Sequence, residues 1–190
     1  MKKKLQAANY LIEFGSILTT GFSDLLRTKY QKSKKIILAD ENTNEHCLDY
    51  LITNFQELNQ AEIIVIPSGE ENKVMEVCIQ VWETLSDYEI SRNDLLISLG
   101  GGMVTDMGGF IASIYKRGID FVSIPTSLLA MVDASVGGKT GIDLGRFKNQ
   151  LGMFSDPEAI YIDSGFLRTL SIEEKKNGFA EMIKHGLIAD

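Results

Sequence analysis

Two kinds of apolar pattern alternate along the chain. Short apolar runs bounded by turn residues predict strands at "KIILAD" (35–40), "EIIVIPSG" (62–69), "DLLISLGGG" (94–102), "FVSIPTS" (121–127) and "AIYID" (159–163). Between the first three, "EHCLDYLITNFQEL" and "NKVMEVCIQVWETLSDYEI" repeat apolar residues near i, i+3, i+4 and i+7, the period of an amphipathic helix. A further helix, "DMGGFIASIYKRG", follows the third strand, and another begins after "TLSIEEKK". Strand–helix alternation of this kind predicts an α/β fold with a parallel sheet and helices on its faces.

In such a sheet, ligands bind outside the carboxyl ends of the strands, and polar and glycine residues cluster just there. Asp40 and Asn42 follow the first strand, Glu70 and Lys73 the second, Gly101, Gly102 and Asp106 the third, Thr126 and Ser127 the fourth. The glycine turn before a helix suits close approach of backbone N–H groups to phosphate, favoured also by the helix dipole. It is not G-x-G-x-x-G and follows the third strand, so the ordinary dinucleotide fingerprint is absent. Each residue also has a plainer reading. Gly100–Gly102 make a tight connection, Asp106 a helix start, Asp40 a turn, and Glu70 with Lys73 a first-turn ion pair.

A second stretch, "PTSLLAMVDASVGGKTGIDLGRFKN", gathers Thr126, Ser127, Asp133, Lys139, Lys148 and Asn149 around repeated glycine bends. "GGKT" is not a P-loop, because Ala134 stands where its first glycine is required. Lysine, amide and hydroxyl donors around flexible turns suit a phosphorylated substrate; the alternative is a solvated polar loop.

Composition narrows the setting. The chain has 190 residues, 44% hydrophobic and 24% charged, enough for one domain and part of a second. A net charge of −7 argues against nucleic acid or an anionic membrane as partner. No apolar stretch reaches the ~18–20 residues of a membrane span, and the start lacks a signal-type core, so a cytoplasmic protein is expected. Cys47 and Cys78 lie in helical runs without C-x-x-C, as buried free thiols do.

The run from "GGGMVTDMGGF" through "IPTSLLAMVDASVGGKTGIDLGRFKNQLGMF" to "GFAEMIKHGLI", spanning about residues 94–189, resembles the 3-dehydroquinate synthase family, with weaker matching in "LADEN" and "SGEENK". The resemblance implies a Rossmann-like, doubly wound NAD-binding domain over residues 1–172. Residues 173–190 would be the first helix of a truncated helical domain that carries a catalytic divalent metal, zinc or cobalt. A homodimer acting on a phosphorylated sugar acid is implied as well. By similarity, Asp40, Asn42, Glu70, Lys73, Gly101, Gly102, Asp106, Thr126, Ser127, Leu129, Lys148 and Thr169 fall on NAD-contacting positions. Asp133, Lys139, Asn149 and Lys184 fall on substrate positions, Arg117 on one reaching the neighbouring subunit's substrate phosphate, and Glu181 on the carboxylate metal ligand. Ser127 replaces a frequent threonine and Thr105 a frequent glycine.

The implied reaction converts 3-deoxy-D-arabino-heptulosonate 7-phosphate to 3-dehydroquinate and phosphate. Hydride passes to NAD+ and back, so the chemistry is redox-neutral overall. A related cyclase giving an inosose or valiolone, a metal-dependent polyol dehydrogenase and a catalytically silent NAD-binding module are the competing readings. In "GFAEMIKHGLI", Phe179, Met182, Ile183, Gly186 and Leu187 form an apolar stripe, with Glu181, Lys184 and His185 on another face. The resemblance gives His185 no ligand role, because the family's two histidine ligands lie beyond residue 190. With only His46 and His185 available, an incomplete metal site and an inactive chain are expected.

Overall fold

The computed structural model describes residues 3–7 and 9–188. Its main sheet has seven strands: β1 (Lys3–Gln6), β2 (Leu11–Phe14), β3 (Lys35–Asp40), β4 (Glu62–Ile66), β5 (Leu95–Gly100), β6 (Asp120–Pro125) and β9 (Ala159–Ile162), in the order β1-β2-β9-β6-β5-β3-β4. Only β1 pairs antiparallel; the other neighbours run parallel. The chain leaves β3 outward to β4 and returns to the far side of β3 as β5. This reversal opens a crevice at the tips of β3 and β5, where open α/β sheets bind ligands.

The strands are apolar on both faces because both are covered. Ile36, Leu38 and Leu96 pack with α4 (Met75–Asp87) and α5 (Gly102–Ile114), whereas Ile37, Leu95, Ile97 and Leu99 pack with α1 (Phe22–Thr28) and α3 (Asp49–Asn54). Before α3 come α2 (Glu41–Thr43) and a π-helical turn over Asn44–Leu48, so one helical stretch continues from the tip of β3. Cys47 and Cys78 are buried free thiols, and burial raises both above the ordinary thiol range.

The lysine-bearing stretch expected as bends is instead an antiparallel hairpin, β7 (Lys139–Leu144) and β8 (Phe147–Phe154). It lies against α5, and two glycines of "DMGGF" permit that packing. A Cβ on Gly108 would fall 2.0 Å from Ser98 Oγ on β5, and one on Gly109 would fall 2.4 Å from Thr140 Cγ2 on the hairpin. The helix is thereby held close to the sheet on one side and to the hairpin on the other. The last helix, α6 (Ile172–Ile188), buries only Gly178, whose Cβ would lie 2.5 Å from Leu128 Cβ.

Candidate functional site

The tips of β3, β5 and β6 are level, with Ala39 opposite Leu99 and Gly100 opposite Pro125. Above them opens a cavity of 1120 Å³, large enough for more than one small ligand. The N-terminus of α5 points into it. Gly101 is the N-cap in extended conformation and supplies no side-chain cap; the first helical bond runs from Thr105 N–H to Gly101 O at 3.0 Å. The N–H groups ahead of it are the free donors of the helix, aimed where a diphosphate would gain most. Thr105 does not intrude: its hydroxyl donates back to Gly101 O and Gly102 O, 3.2 and 3.1 Å away.

Beneath this end lies a buried ionic knot. Lys73, 3% exposed, donates to Asp106 Oδ2 at 2.6 Å and to Asn149 Oδ1 at 2.8 Å. Burial lifts the Asp106 carboxyl to about 6, and the Lys73 charge opposes that rise. The same lysine holds the hairpin through its backbone, since Asp143 N–H donates to Lys73 O at 2.8 Å and Asn149 N–H to Asp143 Oδ1 at 2.6 Å. Asn149 occupies a left-handed conformation, φ 53°, which asparagine tolerates. Of the plainer readings, the Glu70–Lys73 ion pair is present at 3.9 Å, longer than the Asp106 contact; the helix-start reading of Asp106 is corrected, because it sits one turn inside a helix that starts at Gly102.

The turn reading of Asp40 holds. It caps α2, accepting from Thr43 N–H at 2.7 Å while its own N–H donates to Thr43 Oγ1 at 3.0 Å, and it still lines the cavity with Asn42. Thr126 N–H ties β6 to Gly100 O at 2.9 Å, and Ser127 Oγ accepts from Ala130 N–H at 3.2 Å to start the turn carrying Leu129 and Asp133. All four residues reach the cavity, as do Glu70 and Lys139. Lys148 is 72% exposed and lies 3.9 Å from Glu70 Oε1, outside the lining. Thr169 also lies outside it, its hydroxyl directed to Phe166 O at 3.5 Å. Arg117 is at the opposite end of α5, ~20 Å along the helix axis, in a smaller basic recess with Arg92 and Lys116.

On α6 the polar face turns toward the Asp133 turn. His185 Nε2 is 3.2 Å from Asp133 Oδ1 and 3.7 Å from Glu181 Oε1, and Lys184 pairs with Glu181. The expected apolar stripe exists, but its members Phe179, Met182, Ile183 and Leu187 are exposed. Sequence reasoning missed Thr43, which fixes Asp40, and the approach of His185 to Asp133. The Asp40-x-x-Thr43 spacing signalled the first; nothing local signalled the second.

The family described as 3-dehydroquinate synthase N-terminal matches residues 63–177. A 3-dehydroquinate synthase of Parabacteroides distasonis is 49% identical over 156 residues, covering 82% of this chain and 44% of that protein. A 2-deoxy-scyllo-inosose synthase structure superposes with TM-score 0.86 at 22% identity, covering 100% of this chain and 54% of its own. A 2-epi-5-epi-valiolone synthase from Streptomyces hygroscopicus, solved with NAD+ and Zn2+ bound, gives TM-score 0.77 at 30% identity over 96% and 50%. The chain thus spans about half the length of the relatives it matches. Among the described residues no helix is long and apolar enough to cross a membrane. With the family match covering most of the sheet, the crevice, the hairpin and the start of α6, the chain belongs to the 3-dehydroquinate synthase N-terminal family.

Proposed function

We propose that this chain carries the NAD- and substrate-phosphate-binding machinery of a cytoplasmic, homodimeric 3-dehydroquinate synthase, a phosphate-eliminating lyase. The observation that carries this reading is the convergence of three groups on one cavity: the free N–H donors at Gly101 and Gly102, the Lys73–Asp106–Asn149 knot, and Asp133 with Lys139. The site fits a dinucleotide. Bare backbone meets its diphosphate, and a Cβ on Gly102 would crowd Ala134 at 3.2 Å. A divalent metal fits Glu181, a carboxylate only 18% exposed whose Oε1 is shielded from solvent and faced by the Lys184 ammonium.

When bound, NAD supplies a reversible hydride acceptor, and a divalent ion polarises the substrate oxygen beside it. The protein's own residues bind and orient. Gly101 and Gly102 hold the diphosphate, Asp40 accepts from a ribose hydroxyl, and Lys73 keeps Asp106 and Asn149 in register. Lys139 and Asn149 hold the substrate phosphate, joined by Arg117 of the partner subunit, which is why Arg117 stands far from its own cavity. Residues 1–172 form the cofactor-binding unit, and Glu181 and Lys184 on the following helix face the substrate. Residues 1–190 supply one carboxylate where a catalytic zinc takes three protein ligands. They are expected to bind NAD without turnover.

The test is product analysis with 3-deoxy-D-arabino-heptulosonate 7-phosphate, NAD+ and Zn2+ on the complete gene product, beside NAD calorimetry on residues 1–190. Formation of 3-dehydroquinate and phosphate without net NADH supports the proposal. Net NADH accumulation, or robust phosphate release by residues 1–190, contradicts it. The superposition on the inosose and valiolone synthases makes a related sugar-phosphate cyclase the second reading, and their substrates form the second arm of the assay.

A further inference from the structure

We infer that Asp143, on the β7 side of the hairpin, is a positioning residue for the substrate phosphate: it holds Asn149 in a left-handed backbone conformation from which the amide donors of that residue face the cavity. The inference rests on the proposed reading of Asn149 as a phosphate ligand and names the residue through which that ligand is set. The hairpin ladder breaks at this point. Ile142 pairs with Leu151 and Leu144 with Phe147, so Lys148, Asn149 and Gln150 on β8 stand opposite Asp143 alone. A bulge of this kind bends its strand and re-aims side chains, and bulges collect beside active sites.

Three hydrogen bonds close a ring across the bulge. Asp143 N–H, released from the ladder, donates to Lys73 O at 2.8 Å, Asn149 N–H donates to Asp143 Oδ1 at 2.6 Å, and Lys73 Nζ donates to Asn149 Oδ1 at 2.8 Å. The second bond acts on the backbone, where Asn149 has φ 53°, a conformation that costs energy unless its surroundings hold it. The third fixes the side chain. An ammonium only donates, so it takes the amide oxygen and leaves the Nδ2 donors to the cavity that Asn149 lines. An ionised carboxylate suits the Asp143 position because it is the stronger acceptor. Asp143 itself lies outside the cavity lining, so its negative charge backs the ligand instead of meeting the anion.

Inorganic phosphate titrated into the isotope-labelled 190-residue chain, followed by NMR at the Asn149 side-chain amide, tests the assignment, with NAD calorimetry run in parallel. In the wild type the Asn149 Nδ2 resonances should shift with phosphate. Asp143→Ala should weaken that binding about tenfold, the equivalent of one hydrogen bond to a charged group, while NAD affinity stays within about threefold. The same variant should move the Asn149 backbone out of the left-handed region, read from its HN–Hα coupling. Asp143→Asn keeps an oxygen acceptor and should bring phosphate binding back close to the wild-type value. Wild-type phosphate affinity in Asp143→Ala overturns the proposal and leaves the reading of Asn149 standing. Equal losses of phosphate and NAD binding in that variant, or no recovery in Asp143→Asn, would mark a merely structural role and overturn it as well. A wild type whose Asn149 amide ignores phosphate strikes the reading itself, and the proposal with it.

Discussion

The Lys73 knot and the polar face of α6 both place opposite charges against one another beside the same cavity, yet they are built differently. At Lys73, the α5 helix and the hairpin converge, the ammonium is almost wholly buried, and one of its close partners, Asn149, is fixed by a further hydrogen bond to Asp143. On α6, the close approach of Gly178 to Leu128 and the His185–Asp133 contact hold a helix whose apolar side chains face solvent, Leu187 being 80% exposed. The first region is positioned by the core and the second by a crossing at the surface. Changes in the two should therefore separate stability from ligand chemistry.

The largest effect is expected from Lys73→Met, which strands the Asp106 carboxylate in a buried place. Breaking such a pair costs about 3–5 kcal/mol. Because folding raises the Asp106 pKa from ~3.9 to about 6, the contribution of its protonated form to stability is complete below about pH 4 and lost as the pH rises through about 6. Without Lys73 the carboxyl should titrate higher still. Urea denaturation should accordingly show a deficit that is large at pH 8 and small at pH 4, with the Asp106 carboxyl resonance reporting the upward shift.

Next in size, Gly109→Ala forces α5 away from Thr140 and should cost about 1–3 kcal/mol by overpacking, read as a lowered denaturation midpoint. Gly178→Val should cost less than about 1 kcal/mol of global stability, since little else on α6 is buried, but it should lift the helix off Leu128. The His185–Asp133 contact would then be lost while NAD binding stays, which separates the two regions most cleanly. Smallest of all, Ile183→Ser on the exposed stripe should change stability by no more than about 0.5 kcal/mol; a larger loss would mean that α6 is packed more firmly than those two contacts allow.

How much of this could be read from the residues follows the same division. The central strands were legible because burial on both faces gives continuous apolar runs, and the crevice because polar residues collect at their tips. Boundaries drifted where glycine and proline sit. Pro67–Gly69 and Gly101–Gly102 read as strand ends but form turns and the first helical positions. The hairpin was read as bends because its glycines hide the alternation; Gly141 pairs with Gly152 across it. Strands β1 and β2 were too short to stand out as a pattern. In the site, Lys73 and Asp106 were found separately, but their pairing depends on how α5 packs, which no spacing encodes. His185 was visible as the i+4 neighbour of Glu181, whereas its approach to Asp133 depends on the crossing at Gly178.

The central claim is that the α5 N-terminus receives a dinucleotide diphosphate, and a crystal structure of the chain grown with NAD+ tests it most directly. The account predicts diphosphate oxygens within hydrogen-bond distance of the N–H groups at Gly101 and Gly102, with a ribose near Asp40 and the Lys73–Asp106 pair beneath the cofactor. A dinucleotide found elsewhere on the molecule, with that helix end left to solvent, would contradict it.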